Sequence, residues 1–87
     1  MEIRAITRAA RILSSVGSSH AGRTLSEIAV DVELSKATTH RFVQALFTID
    51  YLRYDSHSGK YHIGPALASF ANAGSGLAEL REVAPLV

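Results

Sequence analysis

Only three residues, Glu33 to Ser35, separate two segments of this chain that have the apolar spacing of helices. The earlier segment predicts a helix from about Ser26 to Val32, and the later one predicts a helix from Lys36 to Asp50. The inner face of the earlier helix is predicted to be Ile28, Ala29 and Val32. Two helices joined by so few residues cross at a steep angle, which leaves one side of the later helix uncovered.

Both helices begin at residues that favour an N-cap. Ser35 is the natural cap of the later helix, because its hydroxyl can accept a hydrogen bond from an amide of the first turn. The earlier helix has two candidates. Ser26 is followed directly by Glu27, whose charge suits the helix dipole, whereas Thr24 has Glu27 three residues on, as in a capping box. We expect Ser26 to be the cap, with Thr24 as the alternative.

Apolar periodicity also predicts which faces of the helices are buried. A first helix precedes the other two and ends at residues 17–19; its apolar face is predicted to be Ile3, Ile6, Ala10, Leu13 and Val16. The inner side of the later helix is predicted to be Leu34, Thr38, Phe42, Ala45, Leu46 and Ile49. Its outer side is predicted to be Lys36, Ala37, His40, Gln44 and Phe47, with Thr39 and Arg41 on the flanks.

Residues 52–63 alternate in polarity around a turn. The apolar side consists of Leu52, Tyr54, Tyr61 and Ile63, and the polar side of Arg53, Lys60 and His62. Gly59 suits a positive φ in the turn, so we expect a two-stranded hairpin. Pro65 then suits the start of a short helix, residues 66–72. The whole is predicted to be mainly α with a small β-hairpin: a winged helix-turn-helix with a three-helix core and a two-stranded wing, residues 1–72.

Composition argues against several functional classes. The 87 residues include no cysteine, and the four histidines lack metal-ligand spacing, so we expect neither a metal site nor a cofactor. There is no glycine-rich phosphate loop and no paired nucleophile and base, so we do not expect an enzyme. No apolar run approaches the roughly 20 residues of a membrane helix. We expect a cytoplasmic protein.

The uncovered side of the Lys36–Asp50 helix has the chemistry of a DNA surface. The net charge is only +1, but basic residues gather on this helix and the hairpin. A helix N-terminus attracts phosphate, and Arg and Gln can read guanine and adenine. The predicted DNA-binding residues are Ser35, Lys36, Ala37, Thr38, Thr39, His40, Arg41, Gln44, Arg53, His57, Ser58 and Lys60.

Three stretches of the chain resemble the IclR family of bacterial transcriptional regulators. They are RAARILSSV at 8–16, LSEIAVDVELSKATTHRFVQAL at 25–46 and IDYLRYDSHSGKYHIGPAL at 49–67. The resemblance implies sequence-specific binding of double-stranded operator DNA by an N-terminal domain, in a homodimer or tetramer that represses or activates transcription. It also implies a C-terminal domain that binds a small-molecule effector, with residues 73–87 as the linker and the start of a helix leading to it. By matching position, Lys36, Thr38, His40 and Arg41 occupy the family's recognition-helix places.

The chain departs from the family pattern at three positions. Glu33 stands where glycine is usual, which would cost about 1–2 kcal/mol if the turn is left-handed. Ser35 replaces a frequent proline, and Thr39 replaces a common valine and would add a hydroxyl near the groove. Because the net charge is low, a winged-helix module for protein interaction or dimerisation without DNA binding remains the alternative.

Overall fold

The computed structural model describes residues 3–70, which form three helices and a hairpin. The elements are α1 (Ile3–Gly17), α2 (Leu25–Val32), α3 (Lys36–Thr48), β1 (Leu52–Asp55) and β2 (Lys60–Ile63). Residues 65–70 are helical as well. The predicted winged helix-turn-helix, mainly α with a small hairpin, is confirmed. The expectation of a linker at 73–87 lies outside the described residues, as does the end of the helix expected at 66–72.

One apolar core joins all of these elements. Its buried members are Ile12, Val16, Ile28, Val32, Val43, Leu46, Leu52 and Tyr61. Each helix contributes two of them, and each strand contributes one. Full burial of a side chain of this size is worth about 1.5–3 kcal/mol. The hairpin is therefore held against the helices by Leu52 and Tyr61 and moves with them as one unit.

The apolar face predicted for α1 is only partly correct. Val16 is buried, but Ile3 and Ile6 are 68% and 63% exposed, and Ala10 is exposed too. Ile12 is fully buried in their place. The apolar residues of this helix form two adjacent ridges, and the helix turns only one of them towards α2, α3 and the hairpin.

The N-cap of α2 is Thr24, two residues before the expected Ser26, which lies exposed in the first turn of the helix. The Thr24 hydroxyl accepts from the Glu27 amide at 3.1 Å, and the Glu27 carboxylate accepts from the Thr24 amide at 2.9 Å. This capping box satisfies two amides at once, which Ser26 could not do, so the expectation of Ser26 was wrong.

The end of α2 requires a left-handed residue, and Glu33 supplies it with φ 60° and ψ 44°. The Glu33 amide donates to the Val30 carbonyl at 3.3 Å, and the Leu34 amide donates to the Ala29 carbonyl at 3.1 Å. These two bonds make a Schellman motif, the ending that most often uses glycine. The reversal redirects the chain within three residues, so that Ser35 can begin α3.

Helix α3 is shorter and rotated relative to the prediction. It ends at Thr48 rather than Asp50, because Asp50 is left-handed (φ 64°) and the Tyr51 amide donates to the Leu46 carbonyl. Its buried line is Thr39, Val43 and Leu46, whereas Ala45 and Ile49, which were expected inside, are exposed. The core contacts α3 about one residue further round the helix than apolar spacing alone indicated.

The predicted hairpin is formed, and its strands pair with Leu52 opposite Ile63 and Tyr54 opposite Tyr61. Gly59 has φ 74° and its amide donates to the Asp55 carbonyl, as the turn requires. At the base of the hairpin, a Cβ on Gly64 would collide with the Asp50 carbonyl. The two strands can therefore close directly against the end of α3.

Arg23 joins the hairpin to the helices. Its backbone exchanges two hydrogen bonds with Tyr61, of 3.1 and 2.7 Å, and so adds a one-residue third strand to the sheet. Its side chain turns back to the C-terminal end of α1, where Nε donates to the Ser15 carbonyl at 2.6 Å and Nη2 donates to the Ser18 hydroxyl at 3.3 Å. A cation at this end of a helix also offsets the helix dipole.

Replacing Glu33 with glycine is expected to raise the free energy of unfolding by about 1 kcal/mol, because glycine adopts a positive φ without steric cost. Glu33→Ala is the control, since it removes the charge but keeps the Cβ. Urea denaturation of the three proteins measures the difference. A glycine variant no more stable than the alanine variant would contradict strain at this position.

Candidate DNA interface

The outer face of α3 is a polar surface. Lys36, Ala37, His40 and Gln44 are all exposed on it, as the sequence predicted, and so is Arg41, which was expected on a flank. Their side chains lie away from the buried line of α3, so the core holds the helix without using any of them. A helix presented in this way can enter a major groove with its polar face towards the base edges.

The N-terminus of α3 is prepared for an anion. The Ser35 hydroxyl accepts from the Thr38 amide at 3.1 Å, which satisfies one of the amides that have no partner within the helix. The amides of Lys36 and Ala37 remain directed out of the helix end, beside the positive end of the dipole. Backbone amides in this arrangement bind phosphate, and the Lys36 side chain adds a full charge.

Thr39 is a correction to the predicted site. Its side chain is fully buried (0% exposed) against the core, so it cannot place a hydroxyl near a groove. The Thr39 hydroxyl also has no hydrogen-bond partner among residues 3–70. The rotation of α3 explains both facts, because the position that was expected on a flank lies at the centre of the inner face. Thr38, one residue earlier, is half-buried at the edge of the site.

His40 and Gln44 form a pair on the outer face. The Gln44 side-chain Nε2 lies 3.1 Å from the His40 Nε2, one helical turn away. The Gln44 Nε2 donates across this distance when the His40 Nε2 carries no proton. The Gln44 side-chain oxygen, the second hydrogen of its amide and the His40 Nδ1 have no partner among residues 3–70, and they are a mixed set of donors and acceptors suited to base edges.

The tip of the wing is organised by Asp55. Its carboxylate accepts from the His57 amide at 2.9 Å and from the Ser58 hydroxyl at 3.0 Å. These bonds, with that from the His57 amide largest, hold the pKa of Asp55 below its ordinary value. The side chain of His57 takes no part in them and is exposed. The tip is thus a rigid loop that presents a free imidazole.

The strands of the wing add two cations to its surface. Arg53 is exposed and lies opposite His62, and Lys60 is half-buried opposite Asp55. All predicted wing residues therefore lie on one hairpin that the core holds in place. The hairpin and α3 share one apolar core, to which Leu52 and Leu46 both belong, so their positively charged groups are held in a fixed relation to each other.

Charge is distributed unequally between the elements. Three of the five acidic residues in the described range, Glu27, Asp31 and Glu33, belong to α2 and its C-cap. Among the basic side chains of residues 3–70, Arg23 alone donates hydrogen bonds to other residues of that range. The cations on α1, α3 and the wing keep their donors available for a ligand, which the net charge of the whole chain did not reveal.

A comparison with protein families supports the same interpretation. The IclR helix-turn-helix domain matches residues 5–56, which is more than half of the chain. The chain belongs to the IclR family. It is thus a DNA-binding, winged helix-turn-helix domain of a transcriptional regulator, as the sequence predicted.

Solved structures of IclR-family proteins resemble this domain. An IclR transcriptional regulator from Alicyclobacillus acidocaldarius is 33% identical, with a TM-score of 0.74 over 95% of this chain. The repressor BlcR of Agobacterium tumefaciens is 28% identical, with a TM-score of 0.71 over 83% of the chain. An IclR homologue from Microbacterium hydrocarbonoxydans, solved in complex with 4-hydroxybenzoate, is 29% identical, with a TM-score of 0.74 over 92%.

The chain is much shorter than these relatives. It spans 37% of the Alicyclobacillus regulator, 28% of BlcR and 33% of the Microbacterium protein. A search of curated proteins found no match. Within residues 3–70, no helix is both long and apolar enough to cross a membrane.

Sequence reasoning missed one basic residue beside the IclR recognition helix. Arg8 of α1 lines a groove together with Thr38 and Arg41 of α3. In the sequence, Arg8 shares one helical face with Arg4 and Arg11, and nothing in that spacing distinguishes the three. Only the packing of α1 against α3 brings Arg8 to the site.

Replacing Thr39 with valine is expected to stabilise the domain by about 1–2 kcal/mol, because it removes a buried hydroxyl that lacks a partner and keeps the branched shape. The affinity for DNA is expected to stay unchanged, since residue 39 lies in the core. Thermal unfolding and a DNA titration on the same variant measure both. A valine variant that unfolds normally but binds DNA more weakly would show that Thr39 belongs to the DNA interface after all.

Acid is expected to loosen the tip of the wing. The folded pKa of Asp55 lies below the ordinary value of 3.8, so its contribution to stability is fully present above that value and is lost as the pH falls through the folded pKa. Amide resonances of His57 and Ser58 should follow this ionisation in an NMR titration. In Asp55→Asn the same resonances should show no such step; a step that persists would assign it to another group.

Proposed function

We propose that this domain reads operator DNA by placing α3 in the major groove, with the wing against the adjacent backbone. The observation that carries the proposal is the exposed face of α3, where the His40–Gln44 pair, Arg41 and the uncapped amides of the first turn lie together. Base-reading groups on that face are bordered by phosphate-binding groups, which is the arrangement that sequence-specific binding requires.

The proposed contacts divide into two classes. The amides and the side chains at the start of α3 hold phosphate, with Ser35 as the cap that keeps the helix end in place and Thr38 at its edge. His40, Arg41 and Gln44 reach base edges, and Ala37 allows close approach. On the wing, Arg53, His57, Ser58 and Lys60 meet the backbone or the minor groove. Contact through Thr39 is excluded from the proposal because that residue is buried.

The proposed assembly follows from the family. Two copies, or four in a tetramer, would present their α3 helices to half-sites about 34 Å apart, or a multiple of that distance. A small-molecule effector would bind a further, C-terminal domain, since the relatives are about three times longer and one of them was solved with 4-hydroxybenzoate. The regulator would act on the nucleoid in the bacterial cytoplasm, by binding alone and without catalysis.

A salt titration of binding to duplex DNA tests the proposal. The chain is titrated onto a duplex from upstream of its own gene and onto a random duplex of equal length, from 50 to 200 mM KCl. Eight phosphate contacts in a pair of chains would give a log–log slope of about −7 as an upper limit. A preference for the upstream duplex supports operator reading. Absence of binding by the folded chain at low salt would overturn the proposal in favour of a protein-interaction module.

Replacing Arg41 with alanine is expected to weaken binding to the preferred duplex by about 1–3 kcal/mol, a loss of roughly 5- to 150-fold in affinity. Arg41 is exposed in the middle of the proposed interface, so its loss should not affect folding. Arg4→Ala removes the same charge from the exposed first turn of α1 and is the control. Equal affinities for the two variants would remove Arg41 from the interface.

A further inference from the structure

We propose that Arg8 of α1 is an additional DNA contact, which holds a backbone phosphate in the groove between α1 and α3. The inference rests on the proposed function, because it assumes that α3 enters the major groove. It adds a residue that neither the sequence pattern nor the match to the family assigned. It also gives α1 a direct part in binding, besides its part in the core.

The groove has the composition of an anion site. Its lining residues are Ala5, Arg8, Thr38, Arg41, Phe42 and Ala45. The alanines leave room above an apolar floor, and the polar groups are two guanidinium groups and one hydroxyl. No carboxylate is among them. Two like charges near one groove make its potential positive, which attracts an anion to Arg8 while Arg41 reaches a base edge.

The donors of this groove are not used within the described structure. Neither Arg8 nor Arg41 donates a hydrogen bond to another residue of 3–70, in contrast to Arg23, which makes two. Arg8 is half-buried, whereas Arg4 and Arg11 of the same helix are exposed. A side chain already packed against its neighbours loses less conformational entropy on binding than an exposed one. Guanidinium groups match phosphate geometry and bind it in a bidentate manner.

The position of the groove on α3 is where phosphates should lie. A helix about 10–12 Å across fills a major groove about 12 Å wide, so the two backbones border both of its flanks. Thr38, Arg41 and Ala45 follow at spacings of three and four and form one flank of α3. His40 and Gln44 lie towards the other flank. The groove that contains Arg8 therefore opens beside the DNA strand whose backbone would run along the Thr38 flank of α3.

The test compares Arg8→Gln with Arg11→Gln. Arg11 lies one turn away on α1 but lines a different groove, with Asp31 of α2, so the control removes the same charge from the same helix outside the proposed contact. Both variants, and the unchanged chain, are titrated onto the upstream and random duplexes at several KCl concentrations. For Arg8→Gln we expect the log–log slope to become shallower by about 0.9 per bound chain, with equal weakening on both duplexes. Arg11→Gln should keep the original slope.

Two further variants keep the test decisive if Arg8→Gln folds poorly. Arg8→Lys retains the positive charge but lacks the paired N–H donors of the guanidinium group. It should therefore bind DNA more weakly with an unchanged salt slope. Thr38→Val removes only the hydroxyl and should also weaken binding without changing the slope. Slopes that are equal for Arg8→Gln and Arg11→Gln, in proteins that still bind DNA, would overturn the role of Arg8 and leave the proposed function intact.

A free anion is the remaining occupant to be distinguished. Inorganic phosphate is titrated into the DNA-free chain and followed through the Arg8 Nε–H resonance by NMR. Saturable binding together with a normal DNA slope for Arg8→Gln would assign the groove to a free anion and overturn the inference. Failure of the unchanged chain to bind either duplex would instead overturn the proposed function, a result that the variants cannot produce.

Discussion

The pairing of Arg23 with Tyr61 is the interaction on which the arrangement of the described elements depends. The backbone of Arg23 holds the hairpin, its guanidinium group binds the end of α1 at Ser15, and the next residue, Thr24, caps α2. The hairpin, α1 and α2 therefore meet at two adjacent residues. Because α2 leads into α3 through only Glu33 to Ser35, the same junction also fixes the angle of the recognition helix relative to the wing.

In the recognition helix, the residues that stabilise the fold differ from those proposed to read the DNA bases. Thr39, Val43 and Leu46 hold the helix to the core, whereas the exposed side chains of His40, Arg41 and Gln44, which would read bases, take no part in that core. Acidic residues are concentrated on α2 and its C-cap, and basic residues lie on α1, α3 and the wing, so the weak net charge of the chain conceals an unequal distribution of charge. A low overall charge is therefore a poor argument against nucleic-acid binding when the charges are sorted by element.

The parts of the fold that the sequence predicted are those that local chemistry decides. Ser35 caps α3 and Gly59 turns the hairpin because each needs only its immediate neighbours. Rotation of a helix about its axis depends instead on where other elements lie, so Ile3 and Ile6 were placed inside, and Thr39 on a flank, incorrectly. Arg8 could not be separated from Arg4 and Arg11 for the same reason. Most of the candidate site was still found, because its outward residues follow from the short turn before α3.

The way in which the wing tip is built has a consequence for evolution. Its shape depends on the Asp55 carboxylate, the Ser58 hydroxyl and the positive φ of Gly59, while the side chains of Ser56 and His57 are exposed and make no bond that holds the loop. Two adjoining positions can therefore mutate freely while the loop keeps its course. Substitutions at these two positions would therefore change the contacts of the wing with DNA one at a time, and each intermediate protein would still fold.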